Sequence, residues 1–233
     1  MTFVAIMQPT YLPWIGYFHL IQQSDKFVLL DNVKIEKSSW QTRNKILIGG
    51  QPRFITVPIE GSRTQLINEA KINDKTNWRK KHLASIMQNY SKHLYYEWMV
   101  NIIQPVIENE DITKLCELNV EIIKAIGSSL NIRCNYIFAS DLPTKGKKSQ
   151  RLIEICQLLS ADIYLSPIGS KGYIEEESLF KKHEIPVQYQ DITLLPYNQN
   201  GQNIHVSNLS IIDIMANEGC TGVSNYLSGL NAK

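Results

Sequence analysis

The chain has 233 residues, 43% of them hydrophobic and 20% charged, with a net charge of +2. That is the composition of a globular protein with a sizeable core, and so small a charge gives no electrostatic argument for a nucleic-acid partner. No apolar run has the length of a membrane span, and the amino terminus lacks the charged-then-apolar layout of a signal peptide, so a cytoplasmic protein is expected.

Phe3-Val4-Ala5-Ile6-Met7 has the unbroken apolar character of a buried strand. The chain then passes through Gln8-Pro9-Thr10-Tyr11-Leu12-Pro13-Trp14-Ile15-Gly16-Tyr17-Phe18 into a helix predicted over 12–23. Strand, loop and helix in that order form the crevice where α/β proteins bind ligands, because free N–H groups at the helix start lie beside the carboxyl end of the strand. Pro13 suits a first helical turn and Gly16 permits a close approach to the helix. Gln8, Tyr11, Trp14 and Tyr17 supply flat or hydrogen-bonding surfaces for a ligand there.

A second strand is expected at 27–30, ending at Asp31-Asn32, and a hairpin turns at Gly49-Gly50 between 46–48 and 54–58. Helices are predicted over 78–90, with Asn77 as cap, over 95–108 and over 111–128. The last carries Leu115, Leu118, Ile122 and Ile126 at helical spacing. Three helices in succession imply a helical layer or subdomain over 77–129. Alternation then returns, with strands at 134–138, 162–166 and 187–189 and helices at 150–159, from 175 and over 210–217. The expected architecture is a single α/β domain over 1–233: a Rossmann-like, doubly wound, mostly parallel sheet with a helical insertion.

Three further stretches combine residues suited to an anionic or sugar ligand. In the first, Asp31 at a strand end is placed to hold a ribose or sugar hydroxyl pair, or a metal. In the basic run 37–45, Trp40 can stack on a ring, Arg43 can grip phosphate bidentately and Asn44 adds an amide. The second is Asn77-Trp78-Arg79-Lys80-Lys81-His82, where three cations and a histidine stand in the first turn of a helix. The helix dipole disfavours cations there by a few tenths of a kcal/mol unless an anion offsets them, which points to bound phosphate. In the third, Ser149 is placed to cap a helix while Arg151 reaches back towards the crevice. The later loop 166–173 brings Ser166, Gly169 and Ser170, whose backbone amides can cradle phosphate. A solvated surface is the competing reading for each.

Walker-loop, GxGxxG, serine-hydrolase and HxxxH patterns are absent, and the five histidines have no metal spacing. No metal site is assigned and no cofactor is identified. The four cysteines, widely spaced, read as buried free thiols rather than disulfides. Cys220, between Gly219 and Gly222, is the exception that glycines could expose.

Taken in order, Ala5-Ile6-Met7-Gln8-Pro9, Pro13-Trp14-Ile15-Gly16-Tyr17-Phe18, Asp31-Asn32-Val33, Trp40-Gln41-Thr42-Arg43-Asn44-Lys45-Ile46 and Trp78-Arg79-Lys80-Lys81-His82-Leu83 resemble the WbqC-like family. So do Gln88-Asn89-Tyr90, Arg151-Leu152-Ile153, Ala161-Asp162 and Tyr164–Ser170. This is a bacterial group met in O-antigen and other surface-polysaccharide gene clusters. Its members often carry a second Asp where this chain has Asn32.

The resemblance implies a cytoplasmic enzyme of sugar tailoring or glycan assembly without fixing the reaction. With cations for a diphosphate and aromatics for rings, the expectation is a transferase that modifies a nucleotide-linked or lipid-linked amino sugar, with an acyl or aminoacyl donor among its partners. In that picture Arg43, Arg79 and His82 hold phosphate, with Lys80 and Arg151 as further cations, and Asp31 and Gln8 orient the acceptor. His82 or Asp31 is the general base. No residue is a compelling nucleophile, so direct transfer in a ternary complex is expected. Two alternatives stand beside it. One is an HxGH-like nucleotidyltransferase or adenylating enzyme, although Trp14 and Tyr17 stand where its histidines belong. The other is a non-catalytic protein that binds a glycan precursor.

Overall fold

The computed structural model describes residues 1–36, 38–61 and 64–230; Lys37 of the basic run lies outside them. In chain order the elements are β1 (Phe3–Met7), α1 (Ile15–Gln22), β2 (Lys26–Leu29), β3 (Arg43–Ile48), β4 (Gln51–Thr56), α2 (Trp78–Tyr90), α3 (Tyr96–Glu108) and α4 (Leu115–Ser129). There follow β5 (Asn135–Phe138), α5 (Ser149–Leu158), β6 (Ile163–Pro167), α6 (Lys171–Glu177), α7 (Leu179–Lys182), β7 (Val187–Gln190) and α8 (Ile211–Leu230). The chain forms two compact units. One comprises 1–8, 19–32 and 133–192; the other comprises 9–18, 33–132 and 193–233.

The first unit is a five-stranded, all-parallel sheet in the order β5-β2-β1-β6-β7. Counted within the unit, this is third-second-first-fourth-fifth, a doubly wound order, and the parallel α/β sheet expected from the sequence is present. β1 is central: Ala5 is paired with Phe27 on one side and Leu165 on the other, and Val4 and Ala5 have no exposure. A strand with neighbours on both edges and layers on both faces must be apolar throughout, which is why Phe3–Met7 shows no alternation. The core around it joins Val4, Ile6, Val28, Ile153, Cys156 and Tyr164. The Tyr164 ring stacks on Phe180, with centroids 5.0 Å apart and planes 9° from parallel.

The second unit holds the antiparallel hairpin β3–β4, helices α2–α4 and the long α8. Leu115, Leu118, Ile122 and Ile126, the stripe legible in the sequence, are all fully buried. A buried carboxylate organises the rest. Asp213 of α8, with no exposure, accepts hydrogen bonds from Tyr90 Oη (2.9 Å), Tyr197 Oη (2.6 Å) and Gln199 Nε2 (2.9 Å). Tyr90 Oη in turn accepts from the Leu47 N–H at 2.9 Å, so β3 hangs on the end of α2. Burial, reinforced by the Asp213 charge, holds both tyrosine hydroxyls protonated far above their ordinary range.

Several local expectations are corrected. α1 begins at Ile15 because Leu12 takes a positive φ of 43°, which no helix tolerates. Asn77 does not cap α2 with its side chain; it adopts φ 52°, joining a short 3₁₀ turn to the helix. Ser149 does not cap α5, and its hydroxyl is buried without a partner. α8 continues to Leu230, broken at Gly219. None of the four cysteines is in a disulfide; Cys116 and Cys156 are buried, Cys134 and Cys220 half-buried. The Cys220 thiol donates to the Ser129 carbonyl within α8's packing rather than standing open.

Gly219 has φ 64° and ψ −173°, a conformation available in practice to glycine alone, and an added Cβ would lie 2.6 Å from Tyr95 Cδ1. Gly219→Ala is therefore expected to cost about 2–4 kcal/mol in urea unfolding, the sum of backbone strain and overpacking. Combining it with Tyr95→Ala should recover the overpacking part but not the strain.

Candidate functional site

In the first unit, Gln8 follows β1, Ser166 closes β6, and Gly169 and Ser170 follow it, so all four stand at the carboxyl edge of adjacent central strands. Ser166 is fully buried and donates to Ser170 Oγ at 3.0 Å, which itself donates to the Pro167 carbonyl; Gly169 is exposed. Asp31, 2% exposed, accepts from the Ser140 N–H (2.9 Å) and hydroxyl (2.7 Å). It thereby ties the end of β2 to the turn after β5. Arg151 does reach back, donating to the Gly146 carbonyl and to Asn32 Oδ1 at 3.1 Å. Sequence reasoning missed a buried pair on this edge: His19 Nδ1 and Gln190 Nε2 are 2.9 Å apart. Only the burial of both reveals it; neither lies in a motif.

One of the cations at the head of α2, Arg79, has its anion within the chain. Asp74, four residues before Trp78, accepts from Trp78 Nε1 and Arg79 Nε, both at 2.8 Å, and from Arg79 Nη2 at 3.2 Å. Arg79 also donates to the carbonyls of Ile107, Asn109 and Ile112. All five guanidinium N–H groups are thus engaged, and the residue is 7% exposed. Arg79 clamps the start of α2 to the end of α3 and the turn into α4, and the phosphate role expected for it is corrected. The Arg79 guanidinium, with the Trp78 N–H, holds the Asp74 carboxyl below the ordinary carboxylate range. Lys80 points to solvent.

The opening loop is likewise built into the second unit. Tyr11 is fully buried and its hydroxyl meets His82 Nδ1 at 3.0 Å. His82, 7% exposed, also hydrogen-bonds the Thr56 backbone, and burial lowers its pKa from 6.5 to about 4. A neutral imidazole held by two partners and closed off from solvent braces a wall; it does not meet a substrate, so the general-base role does not fit. Asn44 Nδ2 donates to the carbonyls of Tyr11 (3.3 Å) and Leu12 (2.6 Å), securing the residue with the unusual φ. Tyr17 is 2% exposed. The close approach allowed by Gly16 is made by Trp14's own indole, which an added Cβ would overlap. Trp14 is half-buried.

What remains open is the hairpin. A cavity of about 340 Å³ is lined by Glu36, Thr42, Arg43, Thr56, Val57 and Pro58, among others. The loop over it is shaped by Gln41, whose Oε1 accepts from the Glu36 N–H (3.2 Å) and the Ser39 hydroxyl (2.6 Å). Beneath it, the wall at Thr56 is the strand that His82 holds. Arg43 Nε is buried without a hydrogen-bond partner, and the residue forms no ion pair among the described residues. An unpaired buried guanidinium donor is costly unless a ligand satisfies it. The volume suits one sugar ring or a diphosphate. Among the described residues no cluster of three His, Cys, Asp or Glu side chains gathers as a metal site would require.

The residues around this cavity lie within the stretch, 8–225, that matches the pattern of the WbqC-like protein family. The chain belongs to that family. It is 32% identical over 219 residues to the uncharacterized protein Rv1507c of Mycobacterium tuberculosis, covering 93% of this chain and 94% of that protein. No solved structure matches. In this WbqC-like protein no helix among the described residues is long and apolar enough to cross a membrane. The run Trp40–Lys45 divides its work: Gln41 and Asn44 fix loops, while Thr42 and Arg43 face the cavity.

Two outcomes check these assignments. Because the fold favours neutral His82, its contribution is full above about pH 6.5 and is lost as pH falls towards about 4. Over that interval His82 should account for about 3 kcal/mol of the fall in unfolding free energy, and His82→Gln should remove that part of the pH dependence. Arg79→Ala should cost about 3–5 kcal/mol in unfolding free energy while leaving the anion affinity of the folded protein within twofold of wild type.

Proposed function

We propose that the protein is a transferase that tailors an activated amino sugar, nucleotide-linked or lipid-linked, in the assembly of a bacterial surface polysaccharide. The observation that carries this reading is Arg43: a guanidinium with an unpaired buried donor, entering a cavity of sugar or diphosphate size. In this reading Arg43 holds the diphosphate of the activated sugar, its planar fork matching two phosphate oxygens. Thr42 and Ser38 offer hydroxyls to the sugar from the same wall.

Glu36 is the carboxylate that shares the cavity with Arg43. It takes the proton from the sugar amine or hydroxyl as that atom attacks the donor's acyl or aminoacyl carbon, and the leaving group departs with its electron pair. Asp31, tied to Ser140, serves the sheet and has no part in this step. Membership of the WbqC-like family, met in polysaccharide gene clusters, supports the substrate class.

The test is calorimetric titration of wild type and Arg43→Ala with inorganic pyrophosphate and with UDP-glucosamine. Wild type is expected to bind both, and Arg43→Ala to lose about 10–100-fold in affinity, with a loss that shrinks as salt is raised. Equal affinities for wild type and variant would remove the cavity from the reading. With acetyl-coenzyme A as donor, Glu36→Gln should lower kcat while leaving the sugar's dissociation constant within a few-fold, which separates an enzyme from a binding protein.

A further inference from the structure

The outward face of the hairpin carries an arrangement beyond the cavity. Trp40 and Phe54 are 49% and 42% exposed, and their rings lie side by side, centroids 5.8 Å apart and planes tilted by 45°. Two cations flank them. The Arg43 guanidinium carbon sits 4.0 Å from the centre of the Phe54 ring and Lys45 Nζ 5.4 Å from it. Register explains the grouping. Lys45 pairs directly with Phe54 across the hairpin, and Arg43, two residues earlier on β3, projects from the same face. Large aromatic rings left this exposed lose the benefit of burial; Phe54 stands on the paired hairpin and Trp40 in the turn that leads into it.

The chemistry of the patch selects its ligand. Exposed ring surface on Trp40, beside a Phe54 ring already stacked with a guanidinium, suits a flat heterocycle, because stacking is available to every base irrespective of sequence. Cations over the neighbouring Phe54 ring suit phosphate joined to that heterocycle. An aliphatic lipid diphosphate would use the cations but not the ring geometry. Arg43 belongs to both places: its guanidinium lies on Phe54, and the residue also lines the cavity. Stacking fixes the guanidinium plane, so its N–H edges are pre-set for a phosphate between platform and cavity.

We propose that Trp40 and Phe54 form a base-stacking platform, so that the activated sugar bound by this protein is nucleotide-linked. The base lies on the platform, Arg43 and Lys45 take the diphosphate, and the sugar enters the cavity. This rests on the reading of Arg43 above and narrows it, since the lipid-linked option has no use for the platform.

The test compares ADP, CDP, GDP, UDP and dTDP with inorganic pyrophosphate by calorimetry on the full chain, in wild type, Phe54→Leu and Trp40→Leu. At least one nucleoside diphosphate is expected to bind about tenfold more tightly than pyrophosphate. Each leucine variant should lose most of that advantage with its melting temperature near wild type. Trp40→Leu should also keep its pyrophosphate affinity, whereas Phe54→Leu, which removes the ring under Arg43, should weaken pyrophosphate as well. Both side chains are exposed, so folding is expected to survive; if one variant melts early, the other decides. Nucleoside diphosphates no tighter than pyrophosphate, with binding still dependent on Arg43, would overturn the platform and leave the cavity reading standing, pointing to a lipid diphosphate. Absence of any Arg43-dependent pyrophosphate binding would overturn both.

Discussion

A carboxylate with no access to water, Asp213, sets the geometry on which the second unit depends. It accepts from Tyr90, Tyr197 and Gln199, and Tyr90 passes the constraint to the Leu47 amide of β3. A buried carboxylate is tolerated only with such a full set of donors, and once satisfied it defines one arrangement of its neighbours. Here the neighbours are α2, α8 and the hairpin. Since Arg43, Lys45 and Phe54 all ride on that hairpin, the positions of these three groups proposed to meet the ligand follow from a residue that never touches it.

The polar residues of this chain thus fall into two sets that the sequence does not separate. Arg79, His82 and Asn44 stand in family motifs, Tyr11 stands between two of them, and all four have the chemistry of a site. Yet each is buried with its hydrogen-bonding groups turned to backbone, to one another or, for Arg79, also to Asp74. They are the frame. Arg43 stands in the same motifs and keeps an unmatched donor. The distinction is one of satisfaction and place: Arg79 has all its partners and is structural, whereas Arg43 lacks one and lines a cavity where a ligand can supply it.

The fold was largely legible because burial on both faces of a parallel sheet forces continuous apolar strands, and because the stripe on α4 matches helical spacing. β1 and α2 are found at the limits read from the sequence. The site was legible in part. The cations at the head of α2 did announce an anion, but that anion is Asp74, whose meaning appears only when the helix start folds back on it. Phe54 could not be singled out, since a phenylalanine in a strand is ordinarily core. Its exposure follows from register, which places it opposite Lys45 on the open face. Trp14 and Gly16 suggested a docking surface, and they dock on each other.

The discontinuous make-up of the first unit has a consequence for the growing chain. β1 ends at Met7, whereas its neighbour β6 starts at Ile163 and β5, the neighbour of β2, starts at Asn135. At synthesis rates of ~5–20 residues per second, the central strand waits roughly 8–30 s after its own emergence before its second edge can be covered. During that wait a five-residue apolar strand with an open hydrogen-bonding edge is the kind of segment that pairs with strangers. The intervening residues, however, include the whole of α2, α3 and α4, which are rich in local contacts and fold early. The nascent protein therefore carries a helical body while its sheet is still half made, and its yield in the cell should depend more on chaperone supply and temperature during translation than the stability of the finished molecule would indicate.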